Sequence, residues 1–467
     1  MVFTPHPHHH LPHLILFPLL LACIARAEAP DAPLPAQLPA DTIAAWAGTE
    51  QIPFSHNGRT GILLVPHTAA KDRPWLWSAG PPASDGVNRN LLERGFHIAW
   101  INVNDLYGNT EALSHWEAFY DWAVKEQQLS GKPALAGSGE DALAMFGWAA
   151  RHPECAGCLY AQDPWLDLQP VPDASSPAYE KVLRAHGIAS GAEAAPFPGA
   201  PLNAAAQFGK AAVPMLFLYL GQEPSSPPLK QSEQFYKAYR LSGQGSFETV
   251  AAADNPLLEN GLTLHALYFI LKNTGHLPGA KPGEPLPETS EWAVADFSGS
   301  AKIQVLGDTL IIETGNDMSG VLWQGDVPKM DYEITLEAMR LSGNDFFCGL
   351  TAPWEDSAFS LIIGGWGGTC IGISSLDYLD AYNNETACFR SLMSHRWYPI
   401  KLRVTGGRIQ AWVDKEQLVD VEVGDRDVDI RWEMASVTPL GIATWRTTGA
   451  FRNFRLTPLP PQETAGE

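Results

Sequence analysis

The chain has 467 residues, enough for two or three domains with sizeable cores, and its 52 acidic against 31 basic residues leave a formal net charge of −21. That balance speaks against nucleic acid and anionic membrane surfaces, which reward clustered Lys and Arg, and suits a soluble protein with neutral partners. Sixteen Trp within 10% aromatic residues are compatible with well-packed β structure or with sugar-stacking surfaces.

Residues 14–25 form an apolar run that ends in Ala25-Arg26-Ala27, the small-residue pattern of a cleaved secretory signal. His6, His8, His9, His10 and His13 precede it where Lys or Arg is usual, so a metal-binding tag competes with a removable leader. The leader reading is preferred, with cleavage after Ala27 and a secreted or periplasmic protein. Leu20-Leu21-Ala22-Cys23 loosely resembles a lipobox and leaves a lipid anchor at Cys23 open. No second apolar run approaches about 18 residues, so the mature chain is not expected to span a membrane. Once Cys23 leaves with the leader, five cysteines remain, odd in number and dispersed, which argues against a disulfide framework. Cys155 and Cys158 have CxxC spacing without a second such pair; a local bridge or two buried thiols is preferred over a redox or zinc half-site.

After a Pro/Ala-rich linker at 28–40, the first domain is expected over 41–273. Residues 61–66 (GILLVP) read as a strand and 96–103 (FHIAWINV) as a strand buried on both faces. A loop at 104–109 (NDLYGN) leads into a helix starting near Glu111. The stretch 132–150 (KPALAGSGEDALAMFGWAA) then combines a short apolar run, a small-residue turn and a helical pattern with Leu143 and Phe146 on one face. Strands follow at 158–163, 213–220 and 246–251, alternating with helical segments, which argues for a doubly wound parallel sheet.

Strand, sharp turn and helix at 132–150 resemble the nucleophile elbow of α/β-hydrolases. Lys132, Pro133, Leu135, Gly137, Leu143, Trp148, Ala149 and Ala150 resemble a branch of secreted bacterial hydrolase-like proteins whose elbow reads KPxLEGxSRGGL and whose helix ends WAA. PWLW at 74–77 and NDLYGN resemble that branch's PWxW and DLxGN loops, the former following an early strand on the oxyanion-hole side. The resemblance puts Gly139 at the nucleophile, Gln222 at the acid of its GDxD motif, and Asn255 at the histidine of its GxGH-type turn. A triad needs all three roles together, so an inactive hydrolase-like domain is expected. The rival reading is a serine esterase on acylated glycans that uses Ser138, one residue before the apex, or a repositioned histidine; His265 lies ten residues beyond Asn255.

A Pro/Gly-rich linker at 274–290 precedes a second domain at 291–459, with a disordered tail expected at 460–467. Its texture is short alternating runs, such as 332–338 (YEITLEA), and two hairpins, 400–404 with 409–413 and 413 with 418–423, which imply a two-sheet jelly roll. Residues 346–350 (FFCGL), 364–368 (GGWGG), 384–386 (NET), 396–398 (RWY) and 441–445 (GIATW) resemble the concanavalin-like β-sandwich family that contains keto-disaccharide hydrolases and laminin-G-like modules. The resemblance implies a domain that binds or processes carbohydrate, and few contacts are expected across the linker. Within 364–385, Trp366 between glycines with Asp377, Asp380, Asn383, Asn384 and Glu385 suits a sugar stacked on indole with a polar rim. The same oxygens suit calcium, or a solvated loop that holds sheet ends. Trp412 and Trp445 read as core. The composite expectation is α/β plus all-β: a hydrolase-like sheet domain followed by a β-sandwich, with a glycan partner, Trp366, Asp377, Asp380, Asn384 and Glu385 as the binding residues, and no cofactor. The class that competes with it is a structural envelope protein without a small-molecule ligand.

Overall fold

The computed structural model describes residues 46, 48–167, 177–188, 199–223, 226–282, 284, 286 and 291–460. The proposed leader, the 28–40 linker and nearly all of the C-terminal tail lie outside the described residues, as does part of the 274–290 linker. No described helix is long and apolar enough to cross a membrane.

The first half is one eight-stranded sheet. Its strands are β1 Glu50–His56, β2 Arg59–Val65, β3 Trp75–Ser78, β4 His97–Ile101, β5 Ala134–Ser138, β6 Cys158–Gln162, β7 Met215–Leu220 and β8 Phe247–Ala252. They lie in the order β1-β2-β4-β3-β5-β6-β7-β8, antiparallel at the β1-β2 and β2-β4 pairs and parallel from β4 onward. Strand and helix alternate as the sequence pattern implies, and this mixed sheet with helices on both faces is of the α/β-hydrolase type. The helices are α1 Gly86–Glu93, α2 Thr110–Lys125, α3 Ala142–Arg151, α4 Pro177–Ala185, α5 Pro201–Ala211, α6 Pro227–Ser242 and α7 Glu259–Thr274.

Both faces of the central strands are buried, which explains their continuous apolar runs. Ala99, Ile101, Leu135, Phe217 and Tyr219 meet α2, α3, α5 and α6 on one side. Ile98, Trp100, Ala134 and Leu216 meet α1 and α7 on the other. PWLW is not a loop: Trp75-Leu76-Trp77 is the heart of β3, between β4 and β5. Alternation puts Trp75 and Trp77 on one face, where Trp77 stacks on Trp116 at 4.2 Å between ring centroids and meets Trp148 at 4.9 Å, while Leu76 joins the other core.

The second half is all antiparallel. Its strands are β9 Gly279–Ala280, β10 Trp292–Val294, β11 Ile303–Leu306, β12 Thr309–Ile312, β13 Met318–Trp323, β14 Tyr332–Ser342, β15 Cys348–Trp354, β16 Ser357–Gly364, β17 Cys370–Ser374, β18 Cys388–Phe389, β19 Tyr398–Thr405, β20 Arg408–Val413, β21 Glu416–Glu422, β22 Gly441–Trp445 and β23 Thr448–Pro458. One sheet runs β10-β13-β22-β15-β16-β17-β18 and the other β21-β20-β19-β14-β23-β12-β11-β9. Inward residues of both, among them Ile334, Leu336, Leu361, Ile371, Ile400 and Ile442, form one core, so the half is a β-sandwich.

The expectation of few contacts across the linker fails. Ile311, Met339, Leu341 and Ala450 sit at the outward parity of the eight-stranded sheet of the sandwich and share a core with Ala266, Leu267, Phe269, Ile270 and Leu271 of α7. A helix apolar nearly all round needs cover on every side, and α7 finds it between the α/β sheet and the sandwich. Gly261 allows the approach: a Cβ there would lie 1.9 Å from the His395 carbonyl oxygen and 2.6 Å from Met339 Sδ.

Cys155 and Cys158 are both free thiols, Cys158 fully buried with its pKa pushed up by that burial, so of the two preferred readings the local bridge is not formed.

Candidate functional sites

At the carboxyl end of β5 the chain turns at Gly139, whose φ of +49° lies in the left-handed region, and enters α3 through Glu140 and Asp141. β5 continues through Gly137 and Ser138, so the apex falls on Gly139, in agreement with the resemblance; Ser138 is the exposed last residue of the strand. A Cβ at Gly139 would meet nothing within 4 Å, so the turn is open around it. Asp141 accepts a hydrogen bond from Asn104 Nδ2, and its pKa is raised by burial despite that bond.

Gln222, just beyond β7, has its amide 3.5 Å from Asp163 Oδ1, toward which the Leu220 N–H also points at 3.4 Å. Burial raises the Asp163 pKa. Asn255 Oδ1 accepts from Leu257 N at 3.0 Å and caps the short turn Pro256–Leu258. A cleft of about 360 Å³ lies here, lined by Asp85, Tyr160, Gln162, Asp254, Asn255 and Glu259 among others, with neither Ser138 nor a histidine among them. His265 is directed elsewhere: Nε2 is 2.8 Å from Glu248 Oε2 and Nδ1 is 2.8 Å from His395 Nε2, along a cavity between α7 and the sandwich.

A second cavity, about 290 Å³, opens on the outer face of the seven-stranded sheet. Strand alternation builds it. Leu361, Ile363, Ile371, Ile373 and Ile442 point into the sandwich core, so their neighbours Ile362, Ser374 and, one repeat on, Trp445 point out. Met318, Phe346 and Met434 complete the apolar wall, and Asp345, Arg431 and Glu433 supply charge. Trp366 closes one side with its backbone at φ +49°, uncommon for a bulky residue; the turn is tied by Gly367 N donating to Asp345 Oδ2 at 3.3 Å. Arg431 is held by Glu433 at 2.7 and 3.2 Å and by Asp380 at 3.3 Å. The Arg431 hydrogen bond lowers the Glu433 pKa, against its partial burial. Ser374 is 2% exposed, lines the cavity, and its Oγ has no hydrogen-bond partner among the described residues.

Of the residues singled out in the sequence, Trp366 lines this cavity and Asp380 reaches it through Arg431. Asn384 is not a rim residue. It is 8% exposed, and its amide donates to the carbonyls of Ile373, Leu379 and Asp380, pinning the loop to β17. Asp377 and Glu385 are both bound by Arg426, whose hydrogen bond lowers the Asp377 pKa. No group of three or more His, Cys, Asp or Glu poised for a metal occurs among the described residues. Trp445, read as core, is a wall of the cavity. Asp345, Ser374, Arg431 and Glu433 were missed; the outward parity of Ser374 beside Ile371 and Ile373 was the available signal.

No family model matches the chain, and no curated protein does. Solved structures do resemble the first half. MPT51 of Mycobacterium tuberculosis is 16% identical over 49% of this chain and 99% of its own, with a TM-score of 0.38. A lipase/esterase from Lactobacillus plantarum is 15% identical over 49% and 98%, TM-score 0.35. An S-formylglutathione hydrolase from Agrobacterium tumefaciens is 15% identical over 48% and 95%, TM-score 0.34. The assignment of an α/β-hydrolase-type sheet rests on the strand order and directions given above.

Proposed function

We propose that this is a secreted or periplasmic, carbohydrate-associated protein whose hydrolase-like half has lost ester hydrolysis and whose sandwich binds a glycan in the cavity beside Trp366. What carries the reading is the cavity itself: aromatic and thioether walls, a bidentate Arg431–Glu433 pair, and the buried, unpartnered Ser374 Oγ. A sugar ring offers an apolar face for the indole and hydroxyls for the polar groups, and an unmet buried hydroxyl costs about 1–3 kcal/mol that a ligand hydroxyl would relieve. Loss of hydrolysis is supported by Gly139 at the apex, Gln222 and Asn255 at the acid and histidine positions, and the engagement of His265 by Glu248 and His395. The run at 14–25 with Ala25-Arg26-Ala27 supports export.

Calorimetric titration against a glycan panel tests the binding. Trp366→Ala should weaken binding by roughly 1–3 kcal/mol, the scale of a large apolar contact, with the melting temperature nearly unchanged because Trp366 is 40% exposed. A large fall in melting temperature with unchanged affinity would make Trp366 a structural residue and sink the assignment.

A further inference from the structure

Outside the cavity mouth the aromatic surface continues. Trp366 meets Tyr382 at 5.9 Å between ring centroids with 35° between planes, and Tyr382 meets Phe389 at 5.4 Å and 78°. These side chains are 40%, 49% and 50% exposed, a connected shelf that leads away from the cavity rather than three scattered apolar residues. The loop that carries Tyr382 is rigidly seated: Asp380 Oδ1 accepts from Tyr382 N and Asn383 N, and Asn384 fastens it to β17. Phe389 stands on β18, paired with β17, so the shelf and Ser374 ride on one piece of sheet.

The charges around the shelf and cavity decide what kind of chain fits. Arg431 is engaged by Glu433 and Asp380, Arg390 by Glu416, and Arg426 by Asp377 and Glu385, while Asp345 holds main-chain N–H groups. Each of these three guanidinium groups already has a carboxylate, the buried Arg340 beside the Trp366 turn donates to the Gly368 and Leu392 carbonyls, and the carboxylates outnumber the guanidinium groups. Among the described residues around the shelf, an acidic sugar would meet repulsion and no exposed guanidinium without a carboxylate.

Resting on the glycan reading of the cavity, we infer that the ligand is a neutral oligosaccharide of at least three units, with one ring in the cavity against Trp366 and the following rings laid on Tyr382 and Phe389. Successive aromatic rings favour successive sugar faces, and an extended neutral chain covers the shelf without burying a charge.

The test is titration of the full chain with neutral gluco-, manno-, galacto- and xylo-oligosaccharides from one to six units, and with oligouronates of matching length. Affinity for the best neutral series should rise roughly three- to tenfold for each unit added up to three. Tyr382→Ala and Phe389→Ala should remove that increment and leave the affinity for the shortest ligand, and the melting temperature, unchanged; Tyr382→Trp should keep it. Affinity independent of length, or full retention of the increment in both alanine variants, overturns the extended chain while the single-ring site stands. Tighter binding of oligouronates overturns the neutral class. No binding of any sugar overturns the glycan reading as well, and with it this inference.

Discussion

The Glu248–His265–His395 chain joins strand β8, helix α7 and the sandwich, and its removal has a calculable pH signature. His395 is 6% exposed; burial and the neighbouring His265 ring push its pKa from 6.5 down to about 3. Glu248 is raised by burial, but its hydrogen bond from His265 and the charges of His265 and Lys272 leave it net lowered. A folded state that holds His395 neutral binds fewer protons than the unfolded chain between about pH 3 and 6.5. Stability from this group is therefore complete above 6.5 and lost as pH falls toward 3, by about 1.4 kcal/mol per pH unit for one proton. Glu248 has the same sign: its contribution is present above the ordinary carboxylate range and is lost as pH falls through its lowered value. His395→Gln keeps a polar atom toward His265 and does not titrate, so urea unfolding at a series of pH values should show a slope shallower by about one proton between pH 4 and 6.5. His265→Leu should cost roughly 1.5 kcal/mol at neutral pH, the low end for charged hydrogen bonds, because the Glu248 side chain is 34% exposed and partly screened. Parallel pH slopes for wild type and His395→Gln would refute the buried neutral imidazole.

The mature protein should not turn over p-nitrophenyl esters above background; turnover that disappears on Ser138→Ala would restore the esterase reading. Intact-mass measurement of exported material should place the new N-terminus after Ala27, and a diacylglyceryl group on Cys23 would establish the anchored form instead. A fragment of residues 291–459 should melt well below the sandwich within the whole chain, because Ile311, Met339, Leu341 and Ala450 lose the apolar cover of α7; equal melting temperatures would show that this shared core adds nothing. Gly261→Ala should destabilise, although alanine favours helix by about 1 kcal/mol over glycine in a helix interior, since its Cβ would collide with the His395 main chain; a stabilised variant would mean that α7 and the sandwich do not pack this closely.

Local pattern was enough for the elements whose periodicity a single face or a fully buried strand enforces. The runs at 61–66, 96–103 and 213–220 became β2, β4 and β7, and the small-residue turn before Leu143 became an elbow with its apex on Gly139, the one residue there that takes a left-handed φ without a Cβ penalty. PWLW misled because it was read through its likeness to a PWxW loop, whereas a strand covered by helices has room for both tryptophans on one face. Trp366, singled out by its glycine neighbours, does line a cavity. Its partners were not, because a cavity on a sheet is assembled from strands far apart in the chain: Met318, Asp345, Ser374, Arg431 and Trp445 meet through antiparallel pairing across the order β13-β22-β15-β16-β17. Composition marked Asp377, Asn384 and Glu385 as polar rim, yet a carboxylate or amide near a site becomes a rim only if nothing closer claims it, and Arg426 and the β17 main chain do. The sequence by itself therefore determined the two classes of architecture and the small-residue turn after β5. Which side chains share a cavity, and that α7 binds both halves into one core, depended on register and docking, where contacts between residues distant in sequence outweigh the local signals each one carries.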